Sequence, residues 1–342
     1  MKSLIQQYGS FEAVVDYVAN KLKDKVPKFD VEDFKQWMML SKDYSETNYK
    51  HGLFGDLKLY YYCYSVYKKM RSGNNQHHMI LVSGKIGKGK SVLGTQLATL
   101  IDPTLNMSRI CYVPPHLFRR FAESNPGESN VIDEGGNFFK AKNTMTKIGK
   151  DISQAFQLIR DLQQVLIICY DEPEKLDKDI IDKFDGIFIK TENVKESGNK
   201  RYRDYIAFNI KSCDKIKPLL KKKIPITDEK IIKHISWHGR NTKEMPNVND
   251  FNESIYRSEK RKYLREHMLL FAKRWQEEYE TIDKVDEDVK HLKLTKYGKK
   301  YDVSSATLKK KIKKGLISYN KIGTNYTLED RPLNELEIHD LV

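Results

Sequence analysis

The sequence predicts an α/β fold, a mainly parallel sheet with helices on both faces, and two observations carry that reading. Between residues 78 and 210, short apolar runs (MILVS, ICYV, NVID, VLIICY, GIFI, YIAFNI) alternate with helical segments. This is the mark of strands buried on both faces and joined by crossover helices. Within that stretch, VSGKIGKGKS (residues 82–91) follows an apolar run, leads into VLGTQLATLID and matches G-x-x-x-x-G-K-[ST] in full.

At 342 residues the chain has room for such a core plus smaller modules, at roughly 100 to 200 residues per domain. Five segments are expected: a helical N-terminal extension (1–75), the α/β core (76–211), a helical connector (212–288), a small C-terminal domain (289–330) and a tail (331–342). In the first segment GDLKLYYYCYSVYKKM is the clearest helix; Tyr60, Tyr61, Tyr64 and Tyr67 fall at helical spacing, which reads as a face packed on the next domain in preference to a base-stacking platform. KTENVKESGNKRYRD, too polar for a helix core, reads as a hairpin or edge extension between the last two apolar runs. Beyond Lys211 the strands are expected to stop. SCDKIKPLLKKKIPITDEKIIKHISWH reads as two short helices broken at Pro218 and Pro225, ESIYRSEKRKYLREHMLLFAKRWQEEYETI as one long charged helix, and DKVDEDVK as a linker.

A formal charge of +14 and a pI near 9.3 favour a polyanionic partner, nucleic acid or an acidic membrane surface. MKSLIQQYGSFEAVV lacks the layout of a signal peptide. No window approaches the ~18 uninterrupted apolar residues of a spanning helix. Cys63, Cys111, Cys169 and Cys213 are far apart with no C-x-x-C pair, which argues against a zinc ribbon and for free thiols in a reducing compartment. A soluble, cytoplasmic protein is the expectation. His234 and His238 in HISWH have helical ligand spacing but no glutamate beside the first, so no metal site is expected there.

A loop that wraps a phosphate must turn tightly and aim its N–H groups inward, and side chains at the turning positions obstruct this. Gly84, Gly87 and Gly89 supply that freedom, and the nucleotide cradle is expected to run through Gly84, Lys85, Ile86, Gly87, Lys88, Gly89, Lys90, Ser91 and Val92. Lys90 is expected on the β and γ phosphates and the Ser91 hydroxyl on Mg2+, with Lys85 and Lys88 raising the local potential. Hydrolysis needs a metal-organising carboxylate and a second that activates water. SNVIDEGG offers Asp133 as the partner of Ser91 on the metal and Glu134 as the base. No base-reading motif of the NKxD kind is present, so ATP is the default nucleotide.

Residues 154–189, QAFQLIRDLQQVLIICYDEPEKLDKDIIDKFDGIFI, together with the loop, resemble the FtsK and HerA class of DNA-pumping ATPases and the related Zot-like proteins of phages, plasmids and archaeal elements. The resemblance covers about residues 79–210. It implies a P-loop NTPase core, an arginine-bearing helix running into an apolar strand, and a polar residue at that strand's end that senses the γ phosphate. Arg160, the strand 165–170, Asp171 and Asp177 fall where the pattern puts them. Asp171 departs from the usual amide, and an acid near a γ phosphate is repelled unless a cation neutralises it. Cys169 and Tyr170 are the alternatives. The resemblance also implies a homo-oligomer, with a ring as one arrangement, in which one subunit lends an arginine to the next. Arg160 is the first candidate, with Arg201, Arg203 and Arg240 behind it. Lys90, Glu134 and Arg160 form the expected catalytic set.

In LTKYGKKYDVSSATLKKKIKKGLISYNKIGTNYTLED, Ser304 sits as an N-cap, Leu308 and Ile312 are one turn apart, and Gly315 ends the helix. Opposite the apolar pair lie Lys309, Lys310, Lys313 and Lys314, and LISYNKIGTNYTL reads as two strands around Gly323 and Thr324. The segment resembles the winged helix-turn-helix of the MerR and excisionase type, which implies duplex DNA as partner. The lysines and Lys321 would set affinity and salt dependence; Ser305, Thr307 and wing residues such as Asn325 would read sequence. RPLNELEIHDLV is acidic with spaced Leu and Ile, a packed helix or a partner tail, and the N-terminal helices offer a surface for a protein partner.

These readings converge on an ATP-hydrolysing DNA-binding protein of a virus or mobile element, engaged in translocation, packaging or transfer. The alternatives are an AAA-like switch that loads or regulates a replication, partition or transposition complex, and a DNA-binding regulator whose nucleotide site only senses.

Overall fold

The computed structural model describes residues 8–43, 56–72, 76–133, 135, 154–155, 161–197, 200–242, 245–246, 251–283, 291–314, 316–317, 319–322 and 325–329. The chain divides into two units, Met1–Lys260 and Arg261–Val342.

The sheet of the first unit is built from the apolar runs. β1 (His78–Ser83) is buried along its whole length and lies between β4 (Val165–Tyr170) and β5 (Gly186–Ser197), both parallel to it. Beyond β4 come β3 (Ser129–Ile132) and β2 (Ile110–Cys111), also parallel. On the other side β6 (Lys200–Phe208) returns antiparallel to β5, as the hairpin reading expects, and β7 (Trp237–Thr242) pairs antiparallel with β6. The order is β2-β3-β4-β1-β5-β6-β7, a mostly parallel seven-stranded sheet.

β7 corrects the expectation that strands stop after Lys211. Its sequence, WHGRNT, has one strongly apolar residue, so no periodicity announces it; an edge strand needs a partner's free backbone groups more than an apolar face. His238 therefore stands in a strand, which removes the helical spacing between it and His234. Among the described residues no group of three or more His, Cys, Asp or Glu could hold a metal. The second correction is Pro218, which lies inside α7 (Ile210–Lys221) without breaking it. Proline costs most in a helix interior. Here the helix ends three residues later, and Cys213, Ile216 and Leu220 hold it on the core.

The N-terminal extension contributes α1 (Phe11–Lys23), α2 (Val31–Asp43) and α3 (Leu57–Arg71). Ser10 caps α1 by accepting from the Ala13 N–H, and Asp56 caps α3 by accepting from Lys58 and Leu59. The tyrosines of α3 divide differently from the expected face. Tyr64 meets Phe34 and Trp37 of α2 and donates to Asp33, and Tyr67 also reaches Trp37. Tyr62, outside the expected set, is the ring that meets Phe188 of β5 and Trp237 of β7 and hydrogen-bonds His78.

Helices cover the sheet. α4 (Lys90–Ile101) is buried from Leu93 onward. The remaining helices of this part are α5 (Pro114–Glu123), α6 (Lys178–Ile181), α7 and α8 (Glu229–Ile232). α9 (Glu253–Asp283) is the long charged helix; its residues up to Lys260 belong to the first unit and the rest to the second.

The second unit ends in β8 (His291–Lys293), α10 (Leu294–Tyr301), α11 (Ser305–Lys313), β9 (Asn320–Ile322) and β10 (Asn325–Glu329). The strands form an antiparallel sheet in the order β8-β10-β9. Leu294, Tyr297, Leu308, Ile312, Ile317 and Leu328 make its core. Between α10 and α11 the chain turns through Asp302 at φ 51°. Gly298 permits that turn, because a Cβ there would come within 2.4 Å of the Val303 carbonyl oxygen. Among the described residues no helix is long and apolar enough to cross a membrane.

Candidate active site

β1 ends at Ser83, whose hydroxyl donates to the Asp171 carbonyl at 3.0 Å and ties the loop's root to the end of β4. The loop then turns through Gly84, Gly87 and Gly89 at φ +139°, +76° and +84°. A Cβ on Gly84 would also lie 2.9 Å from the Lys190 carbonyl oxygen, so glycine is required there twice over. α4 begins at Lys90, straight from Gly89, with its first-turn N–H groups turned to the loop. Ile86, at the apex, is 83% exposed. The Lys88 N–H closes a turn on the Lys85 carbonyl at 3.2 Å, and Val92 stands half-buried in the first turn of α4.

β4 separates the loop strand from β3, so the ends of all three meet around the loop. The Ser91 hydroxyl donates to Asp133 Oδ1 at 2.7 Å, just past the end of β3. A hydroxyl and a carboxylate oxygen at this spacing are the hard oxygen donors that magnesium takes beside phosphate oxygens. These residues fit the ion. Lys90 Nζ stands 2.5 Å from Asp171 Oδ1 and 3.3 Å from the Lys85 carbonyl. Asp171 is thus paired with the loop lysine rather than left as an isolated acid at the end of β4. Cys169 and Tyr170, the alternatives, are buried in the sheet. Asp177 caps α6 by accepting from the Asp179 N–H, a structural role. Glu134 and Arg160 lie outside the described residues.

Three side chains that no motif announces shape the site. On the β5 side Lys190 is buried beneath the loop; it donates to the Asn241 carbonyl oxygen and to the Arg203 backbone at 3.1 Å. Asn241 donates in turn to Gln96 of α4 at 2.7 Å. Burial, and then the nearby Arg203 charge, pull the Lys190 pKa down to about 7. On the β3 side Tyr256 and Lys260 of α9 both donate to Asp133 Oδ2, Lys260 at 2.8 Å. Burial and the Asp133 charge push the Tyr256 phenol well above its ordinary value.

Arg203 Nη1 donates to the Gly87 carbonyl at 2.6 Å, so this reserve candidate for a neighbour's arginine reaches the loop of its own chain. Arg240 pairs with Asp204 at 3.0 Å, and the Arg201 side chain lies outside what is described. The loop geometry, the parallel core and the interposed β4 together define the fold. It is that of a P-loop NTPase.

In the second unit Ser304 accepts from the Thr307 N–H at 3.1 Å and shares a hydroxyl contact with Thr307. Leu308 and Ile312 are buried, while Lys309, Lys310, Lys313 and Lys314 are exposed on the opposite side of α11. Thr307 is exposed and Ser305 half-buried. Lys321 lies over the Tyr326 ring at 6.0 Å, and Asn325 is exposed at the start of β10. Gly315, Gly323 and Thr324 fall outside the described residues.

No family model matches the chain, and no curated protein does. Two solved structures are similar to it. The N-terminal domain of zonular occludens toxin from Neisseria meningitidis aligns at 14% identity and TM-score 0.30, over 40% of this chain and 85% of that one. The genome packaging NTPase B204 from Sulfolobus turreted icosahedral virus 2, in complex with ATP-gammaS, aligns at 10% identity and TM-score 0.28, over 41% of this chain and 94% of that one. At these scores the fold rests on the strand order and loop geometry described above, not on the alignments.

Proposed function

We propose that this chain binds ATP with Mg2+ at the loop 84–92, hydrolyses it, and works on duplex DNA held by the second unit, as a homo-oligomer in a viral or mobile-element setting. The observation that carries the nucleotide half is the Ser91–Asp133 hydrogen bond beside Lys90. Lys90 takes the β and γ phosphates, and the loop N–H groups and the start of α4 take the remaining negative charge. Ser91 and Asp133 would hold Mg2+, which would supply neutralising charge to the phosphates. Glu134, next to Asp133 in sequence, activates water, and Arg160 or Arg203 adds a guanidinium to the transition state. The DNA half rests on the capped α11 with its exposed lysines beside the β9–β10 hairpin, the layout of a winged helix-turn-helix.

A second reading, a switch ATPase that assembles on DNA without pumping, is favoured by one observation: the loop lysine is already paired with Asp171, where a pump would carry an amide. Steady-state ATP hydrolysis with and without Mg2+ and duplex DNA, on the intact chain and on Lys90→Ala, tests the core claim. Magnesium-dependent turnover that DNA stimulates and Lys90→Ala abolishes supports it; turnover indifferent to Lys90 sinks it. Roadblock displacement on linear duplex then separates pump from switch.

A further inference from the structure

The geometry assigns Tyr256 and Lys260 to the nucleotide site as positioning residues: Tyr256 fixes the metal carboxylate Asp133, and Lys260 holds the place of the metal's charge until a magnesium nucleotide binds. This inference rests on the reading of the loop as a Mg-ATP site. Asp133 has a side chain only 3% exposed. A carboxylate that deeply buried is costly unless paired and hydrogen-bonded. Its Oδ1 takes the Ser91 hydroxyl, and its Oδ2 takes the Tyr256 phenol and the Lys260 ammonium. The two α9 donors are one turn apart, so a single helix face reaches the carboxylate.

The two differ in how firmly they are held. Tyr256 is 5% exposed and wedged between Phe251, at 6.1 Å between ring centroids, and Tyr112, at 6.2 Å. Lys260 ends a flexible stem and its side chain is 21% exposed, so its ammonium has a path to solvent that the Tyr256 ring lacks. An ammonium 2.8 Å from Oδ2 and a dication on the same carboxylate repel each other strongly in a poorly screened site. Lys260 therefore yields Asp133 when the magnesium nucleotide is bound, while Tyr256 keeps it oriented. The consequence reaches past the site: Lys260 is the last residue of the first unit, and the helix that carries it continues to Asp283. The lysine contact reports on that helix whether the metal position is filled.

The test titrates magnesium, starting from EDTA, into the full chain with a non-hydrolysable ATP analogue and follows binding by calorimetry. Lys260→Met is expected to half-saturate at about tenfold lower magnesium, a coupling of ordinary size. Lys260→Arg should keep the native requirement, and Tyr256→Phe should raise it. Hydrogen exchange on the unmodified chain is the second arm and needs no variant. The α9 amides around Lys260 should exchange faster with analogue and magnesium than with analogue and EDTA. An unchanged or higher magnesium requirement in a folded Lys260→Met overturns the proposal, as does α9 exchange indifferent to magnesium while the analogue is bound. If the intact chain binds no analogue at all, the nucleotide-site reading itself fails, a result distinct from binding without the magnesium effect.

Discussion

Lys90 and Lys260 in the first unit and Lys309, Lys310, Lys313 and Lys314 in the second carry the same charge in opposite settings. Lys90 is 13% exposed against Asp171, and Lys260 sits 2.8 Å from Asp133; the lysines of α11 stand in solvent around a buried Leu308–Ile312 stripe. Enclosed lysines act through position, because low dielectric magnifies each distance. Exposed lysines act through summed field, which salt screens. The contrast is one of position against summed charge, which is what the proposed nucleotide and DNA roles of the two units would require.

The largest effect is expected at the first site. Lys90→Ala or Asp133→Asn should cut steady-state ATP turnover about 100-fold or more, as loss of a preorganised charge-stabilising group does, while leaving DNA affinity within twofold or so. A smaller effect is expected at the second site. Replacing Lys309, Lys310, Lys313 and Lys314 by glutamine should weaken duplex binding and lower the slope of log affinity against log salt by about 0.9 for each phosphate that is no longer neutralised. Filter or anisotropy titrations at several salt concentrations check this, and turnover without DNA should not change.

Lys190 sharpens the enclosed half of the contrast. Its folded pKa of about 7 lies below the ordinary 10.5, so between those values the unfolded chain binds a proton that the folded chain does not. Its contribution to stability therefore rises as pH increases from about 7 towards 10.5. Denaturant midpoints across that window should climb in the native chain and flatten in Lys190→Met. The smallest effect is at the α11 cap: Ser304→Ala removes the acceptor for the Thr307 N–H, costs about 1 kcal/mol, and should lower the melting temperature of the second unit's transition by a few degrees.

Much of this was legible in the sequence, for reasons that differ along the chain. The loop's turn and the meeting of Ser91 with Asp133 could be read because the G-x-x-x-x-G-K-[ST] pattern confines both residue type and spacing, and the parallel strands because double burial makes them continuously apolar. α11 could be read because a serine cap, a three-to-four apolar spacing and exposed lysines are all local signals. β7 could not, since WHGRNT is held by pairing with β6 and by the Gln96–Asn241–Lys190 chain, whose members are far apart in sequence. Tyr256 and Lys260 were hidden for the same reason. Nothing local distinguishes them from neighbours on a charged helix, and only the fold brings them to Asp133, more than 120 residues earlier. Tyr62 was missed because four other tyrosines of α3 share its spacing, and which ring faces the sheet depends on how the helix is rotated.

The most direct test of the account is steady-state ATP hydrolysis against duplex DNA concentration, comparing the intact chain with the four-lysine glutamine variant. DNA should raise turnover several-fold in the intact chain, and the variant should keep the basal rate but lose the stimulation. Hydrolysis that DNA never changes, or stimulation that survives in the variant, would contradict it.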